Sequence, residues 1–190
     1  NVTSSIICSG NPHLANIVNQ EKRKKDNAIW TIRYISECIY EYFPDRVINQ
    51  YTIFHAIINA IHPKNEIRFI IRPHPLESIE KWNTIIKKLS KKNVTFSIDT
   101  KNFNQIYKDT DVAIGISSMA LIELNLCEVN TYSYQINISE KDFLSNPFEE
   151  YGIKRITNPN ELNAILNKLE NTDSKINDFH FQAIQNIVKT

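Results

Sequence analysis

The sequence predicts an α/β domain built on a doubly wound parallel sheet. Two observations carry this prediction: short apolar runs alternate with helical patterns, and most of the runs are apolar at nearly every position, which is typical of strands buried on both faces. Strands that alternate with helices form βαβ units, whose right-handed crossovers bring the carboxyl end of every strand to one edge. The 190 residues suit a single domain over 1–190, with its core at about 5–170 and a last helix at about 179–190.

Each predicted strand is a short apolar run, and each predicted helix repeats its apolar residues with helical spacing. The strands, of which the first has the weakest pattern, are Ile6–Cys8, Ala28–Ile35, Ile67–Arg72, Val94–Ile98, Val112–Ile116 and Thr131–Tyr134. The helices are Ile48–Ile61, Ile79–Lys91, Phe103–Lys108, Ser118–Leu126, Glu161–Leu169 and Phe179–Val188. Pro63 ends the first of these helices, and the segment after Pro159 begins the fifth.

The composition excludes several classes of protein. The 22 basic and 21 acidic residues nearly cancel, so no basic field favours nucleic acid. The longest apolar runs are about five residues, against the roughly 20 that span a bilayer, and Asn1–Ser5 lacks a signal-peptide pattern. We therefore expect no transmembrane segment and a cytoplasmic location, with the inner face of a membrane as the alternative. The 3 dispersed cysteines and 3 glycines exclude a zinc ribbon, a disulfide framework, a glycine-rich dinucleotide loop and a P-loop, and we expect no metal and no cofactor.

The most specific segment is the end of the second long strand, Arg72-Pro73-His74-Pro75. Each proline fixes its own φ and pushes the residue before it toward an extended conformation. The result is a stiff strand exit that holds one imidazole at a fixed angle, which favours a functional role for His74. The alternative is a histidine that caps a neighbouring helix.

The second candidate is a strand, a turn and a helix over Asp111–Glu123. Gly115 lies near the end of the buried strand, and Ser117 and Ser118 open the helix. Free N–H groups and two hydroxyls at a helix start form an anion site without glycines. Glu123 falls about a turn and a half into the helix. The alternative is an ordinary serine cap with Glu123 on a solvated face, but the place at a strand's carboxyl end favours the site.

Other polar residues follow strand ends or precede them. Ser36 and Glu37 follow the first long strand, Glu77 ends the segment after the second, and Gln135 follows the last, so we expect them to share one crevice with His74. Asp109-Thr110-Asp111 matches a metal-binding DxD pattern, but it precedes a strand at the opposite edge. We interpret this triplet as a helix-to-strand turn.

A His-Pro pair after one strand, with Ser-Ser opening a helix two strands later, resembles the HP and SS motifs of bacterial sialyltransferases and polysialyltransferases. The wider likeness is to the Rossmann-like, nucleotide-binding C-terminal half of GT-B glycosyltransferases, including lipid-A-disaccharide synthase, UDP-N-acetylglucosamine 2-epimerase and CDP-glycerol glycerophosphotransferases. It covers about residues 5–170, and its specific part is the two short motifs.

The resemblance implies a role for each matching residue. His74 would contact the donor phosphate, Ser117 and Ser118 would hold the phosphate or the nucleotide, and Glu123 would hydrogen-bond the ribose. An imidazolium aimed at a departing phosphate stabilises the transition state more than the ground state and can supply a proton. From their places at strand ends, we assign five further residues to donor binding: Ser36, Glu37, Arg72, Pro75 and Gly115.

One departure from the family pattern is large. Sialyltransferases carry an acidic D/E-D/E-G triplet that supplies the general base before the HP motif, and no such triplet occurs here. A complete GT-B enzyme also has an N-terminal half, for which this chain is too short. We therefore expect an excised C-terminal domain, inactive alone, whose partners are a missing N-terminal half and a saccharide acceptor.

The leading hypothesis is the donor-binding domain of a bacterial glycosyltransferase that makes surface polysaccharide or lipooligosaccharide. The donor would be a sugar linked to CMP, CDP or UDP, with a CMP-linked sialic-acid-like sugar as one candidate. The alternatives are a non-hydrolysing nucleotide-sugar 2-epimerase, a CDP-glycerol-type transferase domain, and a non-catalytic interaction module with this fold.

Overall fold

The computed structural model describes Ile17, residues 29–145 and residues 148–171. Its sheet has six strands, all parallel, in the order β3-β2-β1-β4-β5-β6. The strands are β1 (Trp30–Ile35), β2 (Ile67–Arg72), β3 (Val94–Ile98), β4 (Val112–Gly115), β5 (Asn130–Tyr134) and β6 (Lys154–Ile156). The helices are α1 (Ile39–Tyr42), α2 (Gln50–Ala60), α3 (Ile79–Lys87), α4 (Phe103–Ile106), α5 (Met119–Leu126) and α6 (Pro159–Asn171), with 3₁₀ turns at Tyr107–Asp109 and Phe148–Tyr151.

The predicted doubly wound parallel sheet is confirmed. The bounds of β2 and β3 are those predicted, and β1, β4 and β5 differ by one or two residues. The prediction missed α1, which is too short to show a helical period, and β6, in which Lys154 and Arg155 replace the apolar run of a central strand. The predicted strand Ile6–Cys8 and the helix at about 179–190 lie outside the described residues.

Side chains from both faces of the sheet enter apolar cores. On one face, Ile32 and Tyr34 of β1 pack with Phe54 of α2 and Trp82 of α3. On the other face, Ile35 belongs to a second cluster with residues of α5. Helices therefore cover both faces, which explains why the strands are apolar at nearly every position.

A buried arginine fixes the connection between β3 and β4. The side chain of Arg33 is fully buried, its Nε donates to Thr110 Oγ1 at 2.8 Å, and its guanidinium pairs with Asp99 and with Asp109 Oδ1, the latter at 2.6 Å. Asp99 follows β3 and Asp109 precedes β4, so this one side chain holds both ends of the crossover.

The Asp109-Thr110-Asp111 triplet forms the turn into β4, as predicted. Asp109 pairs with Arg33 and with Lys101, and Asp111 Oδ2 accepts a hydrogen bond from the N–H of Thr31 at 2.8 Å. The carboxylates thus stabilise the turn. Within the described ranges, no helix is long and apolar enough to cross a membrane.

Candidate functional site

The centre of the sheet is the point at which its winding reverses. From β1 the chain continues outward to β2 and β3, and from β4 it continues outward in the other direction to β5 and β6. The connections that leave the carboxyl ends of β1 and β4 therefore diverge, and the crevice between them is where sheets of this kind bind ligands. The segments after β1, β2 and β4 carry the predicted site residues.

Glu37 joins the segments after β1 and β4 across this reversal. Its Oε1 accepts hydrogen bonds from the N–H groups of Ile116 at 3.1 Å and Ser117 at 2.7 Å, and its Oε2 accepts one from the Ser117 hydroxyl at 2.6 Å. The structure thus brings these two predicted site residues together. The Glu37 carboxylate therefore already accepts from the N–H and the hydroxyl of Ser117, which are two donors of the predicted anion site.

Glu77 joins the segments after β1 and β2. Its Oε1 accepts from the hydroxyl of Ser36 at 2.9 Å and from the indole N–H of Trp82 at 3.1 Å, and its Oε2 accepts from the N–H of His74 at 2.5 Å. The residue is only 7% exposed. Burial raises the pKa of the Glu77 carboxyl, and the three donors oppose that shift.

His74 lies in a tight turn between β2 and α3. Its carbonyl accepts from the N–H of Glu77 at 2.9 Å, and its ring Nδ1 accepts from the N–H of Leu76 at 3.2 Å. A backbone N–H can donate only to an unprotonated ring nitrogen, so the neutral imidazole carries its hydrogen on Nε2. Among the described residues, Nε2 has no hydrogen-bond partner, and the ring is partly exposed.

Ser118 is the N-cap of α5, as predicted. Its backbone is extended, and its Oγ accepts from the N–H of Ala120 at 3.3 Å. Since Oγ acts as an acceptor in the cap, the hydroxyl hydrogen remains able to donate to an anion. Ser118 is partly exposed, and Met119 beside it is 53% exposed.

Glu123 lies in the second turn of α5 and is half-buried. It is about 7.5 Å along the helix axis from Ser118, given the rise of 1.5 Å per residue. Burial, followed by the charges of Glu123 and Glu128, raises the pKa of the Cys127 thiol to about 11. The thiol is therefore protonated at neutral pH.

Gly115, the last residue of β4, allows the strand and its turn to approach β1 and α5. A Cβ at this position would lie 3.0 Å from the carbonyl oxygen of Ile35 and 3.1 Å from the side chain of Leu121. The glycine therefore permits a close approach and does not itself contact the crevice through a side chain.

Arg72 and Pro75 flank the His74 turn and are placed differently. The guanidinium of Arg72 donates to the carbonyl oxygen of Lys101, after β3, which directs the side chain toward that neighbouring segment. Pro75 is exposed beside His74. Gln135 follows β5 and donates to Ser133 Oγ at 2.9 Å, so it lies on the same edge of the sheet.

Two carboxylates, those of Glu37 and Glu77, lie at the crevice. Burial, followed by the charges of Glu37 and Glu77, raises the pKa of the Tyr34 hydroxyl well above its ordinary value. In the described part of the chain, no group of three or more histidine, cysteine or acidic residues could hold a metal ion. Among the described residues, the donors available to an anion include His74 Nε2, the Ser118 hydroxyl and the N–H of Met119, whereas the N–H groups of Ala120 and Leu121 already donate to Ser118.

The sequence placed Glu77 at the crevice but assigned it no role, and it did not single out Trp82. Glu77 is 3 residues after His74 and immediately before the N-cap Ser78, where a carboxylate is usually a solvated partner of the helix start. Its burial depends on Ser36, which is distant in sequence, and no local pattern records that contact.

Sequence comparison finds no family model and no curated protein that match the chain. Comparison of folds does find similar solved structures. TarM matches with a TM-score of 0.56 and 16% identity, over 90% of this chain and 34% of TarM. MurG of Acinetobacter baumannii matches with a TM-score of 0.56 and 13% identity, over 89% of this chain and 50% of MurG. The wall teichoic acid polymerase TagF matches with a TM-score of 0.50 and 13% identity, over 93% of this chain and 40% of TagF.

These similar structures are GT-B glycosyltransferases, and the chain has the Rossmann-like fold of a GT-B half-domain. At these low identities, the likeness concerns the fold. The chain spans between about a third and a half of the length of the three structures. The wider likeness to the Rossmann-like half of GT-B glycosyltransferases is therefore confirmed at the level of the fold.

Proposed function

We propose that this chain is the donor-binding domain of a GT-B glycosyltransferase and binds a nucleotide-activated sugar at the carboxyl edge of its sheet. The observation that carries the proposal is the convergence of two predicted motifs on the reversal point of the sheet. Glu77 connects the His74 turn to Ser36. Glu37, the residue after Ser36, bonds to Ser117 at the start of the second motif. Ligands of open α/β sheets bind at this point.

In the proposed complex, the donor phosphate lies between His74 and the start of α5. The imidazole presents Nε2–H, and Ser118 and the helix N-terminus provide further donors. Ser117 donates both its N–H and its hydroxyl to Glu37, so it can contact the phosphate only by exchanging that partner. Glu123 is proposed to bind the ribose, and the exposed Leu76 and Met119 offer apolar surface to the base.

During sugar transfer, negative charge accumulates on the departing nucleotide phosphate. A positioned imidazole and a helix N-terminus stabilise that charge more in the transition state than in the ground state. The neutral His74 ring acts there as a hydrogen-bond donor through Nε2, because a second ring proton would break the bond that Nδ1 accepts from the N–H of Leu76. The general base and the acceptor site are proposed to come from another domain, because the acidic triplet of sialyltransferases does not occur in this sequence. The proposed donor is a sugar linked to CMP, CDP or UDP, and the likeness of the HP and SS motifs to those of sialyltransferases makes a CMP-linked sugar one candidate among the three.

The test is a calorimetric titration of the purified chain with CMP, CDP, UMP and UDP. We expect binding on the order of 0.1–1 mM, equivalent to about −5 kcal/mol, since only one half of the cleft is supplied. Cytidine and uridine are the matched controls without phosphate and should bind more weakly. If none of the four nucleotides binds up to several millimolar, the proposal is wrong and a non-catalytic interaction module is favoured.

A further inference from the structure

The three polar groups of the His74 backbone and ring that face the protein are all engaged in one turn. The N–H donates to Glu77 Oε2, the carbonyl accepts from the N–H of Glu77, and ring Nδ1 accepts from the N–H of Leu76. Glu77 thus bonds to both the N–H and the carbonyl oxygen of His74. The turn conformation sets which ring nitrogen keeps its hydrogen.

The Glu77 carboxylate is itself held from two other elements. The hydroxyl of Ser36 approaches from the end of β1, and the indole N–H of Trp82 approaches from α3, both to Oε1. Trp82 is fully buried in the aromatic core, so its indole cannot move without disrupting Tyr34 and Phe54. The position of the carboxylate is therefore determined by the core.

We infer that Glu77 is a positioning residue for His74: its carboxylate fixes the turn in which the imidazole carries hydrogen on Nε2 and presents it to the crevice. This inference rests on the proposed function for the ligand that Nε2 contacts. It assigns to Glu77 a role that acts only through His74, since both carboxylate oxygens are occupied by protein donors. An amide cannot replace the carboxylate, because its NH₂ group would face a donor.

The direct test is Glu77→Gln, with Glu80→Gln as the matched control. Glu80 lies one turn away in α3, is exposed, and accepts from the hydroxyl of Ser78 at 3.1 Å. The first readout is the ¹⁵N spectrum of the His74 ring, which distinguishes the two neutral tautomers. We expect the Nε2–H tautomer to dominate in the wild type and in Glu80→Gln, and both tautomers to be present in Glu77→Gln. A purely structural strut would change stability without changing the tautomer.

The second readout is the affinity for CMP and CDP per folded molecule. We expect Glu77→Gln to weaken binding by about fivefold or more and Glu80→Gln to leave it unchanged. A folded Glu77→Gln protein with the wild-type tautomer and the wild-type affinity would overturn the inference. If the wild type binds no nucleotide, the proposed function fails, and the tautomer comparison still decides whether Glu77 positions His74.

Trp82→Phe provides a second variant if Glu77→Gln does not fold. It removes one donor to the Glu77 carboxylate and retains an aromatic ring in the core. We expect the same two changes at smaller amplitude, namely some Nδ1–H tautomer and a modest loss of affinity. Unchanged values for both in this variant would overturn the inference.

Discussion

His74 combines a fixed backbone with a partly exposed ring. The prolines on either side of it were sufficient to predict a stiff strand exit, and the structure places that exit at the carboxyl edge of the sheet. The tautomer was beyond the sequence, because it depends on the N–H of Leu76 and on a turn that Glu77 closes. The local sequence predicts where the imidazole lies. Which ring nitrogen carries the hydrogen depends on the turn that Glu77 closes, and Glu77 is held in part by the distant Ser36.

Replacing His74 with alanine should separate binding from stability. The ring is not part of an apolar core, so we expect the free energy of unfolding to change by less than about 1 kcal/mol. The affinity for CMP or CDP should fall by roughly tenfold, since a hydrogen bond to a charged group contributes about 1.5–3 kcal/mol. Urea denaturation and calorimetry measure the two quantities.

The matched control for His74→Ala is His62→Ala. His62 is an exposed histidine between α2 and β2, near the opposite edge, and its contact with Asn163 uses its backbone N–H, which alanine retains. We expect this variant to bind nucleotide like the wild type. A strongly destabilised His74→Ala protein with normal affinity per folded molecule would show that the imidazole is a structural strut.

Arg33 shows a limit of prediction at the residue scale. Its strand, WTIRYI, reads as a buried strand interrupted by a charge, and nothing nearby in the sequence names a partner. The partners Asp99 and Asp109 are brought to the arginine by the β3–β4 crossover. A buried arginine is expected to need a carboxylate partner, but which carboxylate pairs with it follows only from the folded chain.

At the scale of elements, β4, its turn and α5 form the unit on which the proposed phosphate site depends. The sequence predicted this unit well, because a continuous apolar run, two serines and a helical period mark its three parts. The bonds from Glu37 to the turn were not predicted, since they join β1 to β4 across 79 and 80 residues of sequence. The missed α1 and β6 have only 4 and 3 residues, too few to show a period.

Gly115→Ala tests how tightly this unit packs. The new methyl group would lie 3.0 Å from the carbonyl oxygen of Ile35 and 3.1 Å from the Leu121 side chain, so the end of β4 must shift. We expect the free energy of unfolding to fall by about 1–3 kcal/mol, as for other overpacked core positions, and nucleotide binding to weaken as the turn moves. Denaturant unfolding and calorimetry would detect both changes. A variant as stable as the wild type would show that β1 and α5 accommodate a side chain here.

At the scale of the whole molecule, ligand binding at one edge of the sheet stays a prediction, whereas the predicted parallel sheet and the GT-B likeness are confirmed at the level of the fold. These features follow from patterns repeated along the chain, namely apolar runs, helical periods and two short motifs. The donor sugar and the acceptor do not follow from such patterns, since they depend on pocket shape and on contacts from other parts of an enzyme. The similar structures extend well beyond the region they share with this chain, which spans 34% to 50% of their length.

The measurement that tests the central claim most directly is a map of backbone amide shifts during titration with CMP or CDP. We expect the perturbed amides to cluster at the carboxyl edge of the sheet, in residues 36–37, 74, 76–77 and 115–119. Amides at the amino ends of the strands, at residues 92–93 and 109–111, should stay unchanged and act as the internal control. Perturbations centred on those amino ends, or no perturbation up to several millimolar nucleotide, would contradict the claim that this edge is a nucleotide-sugar site.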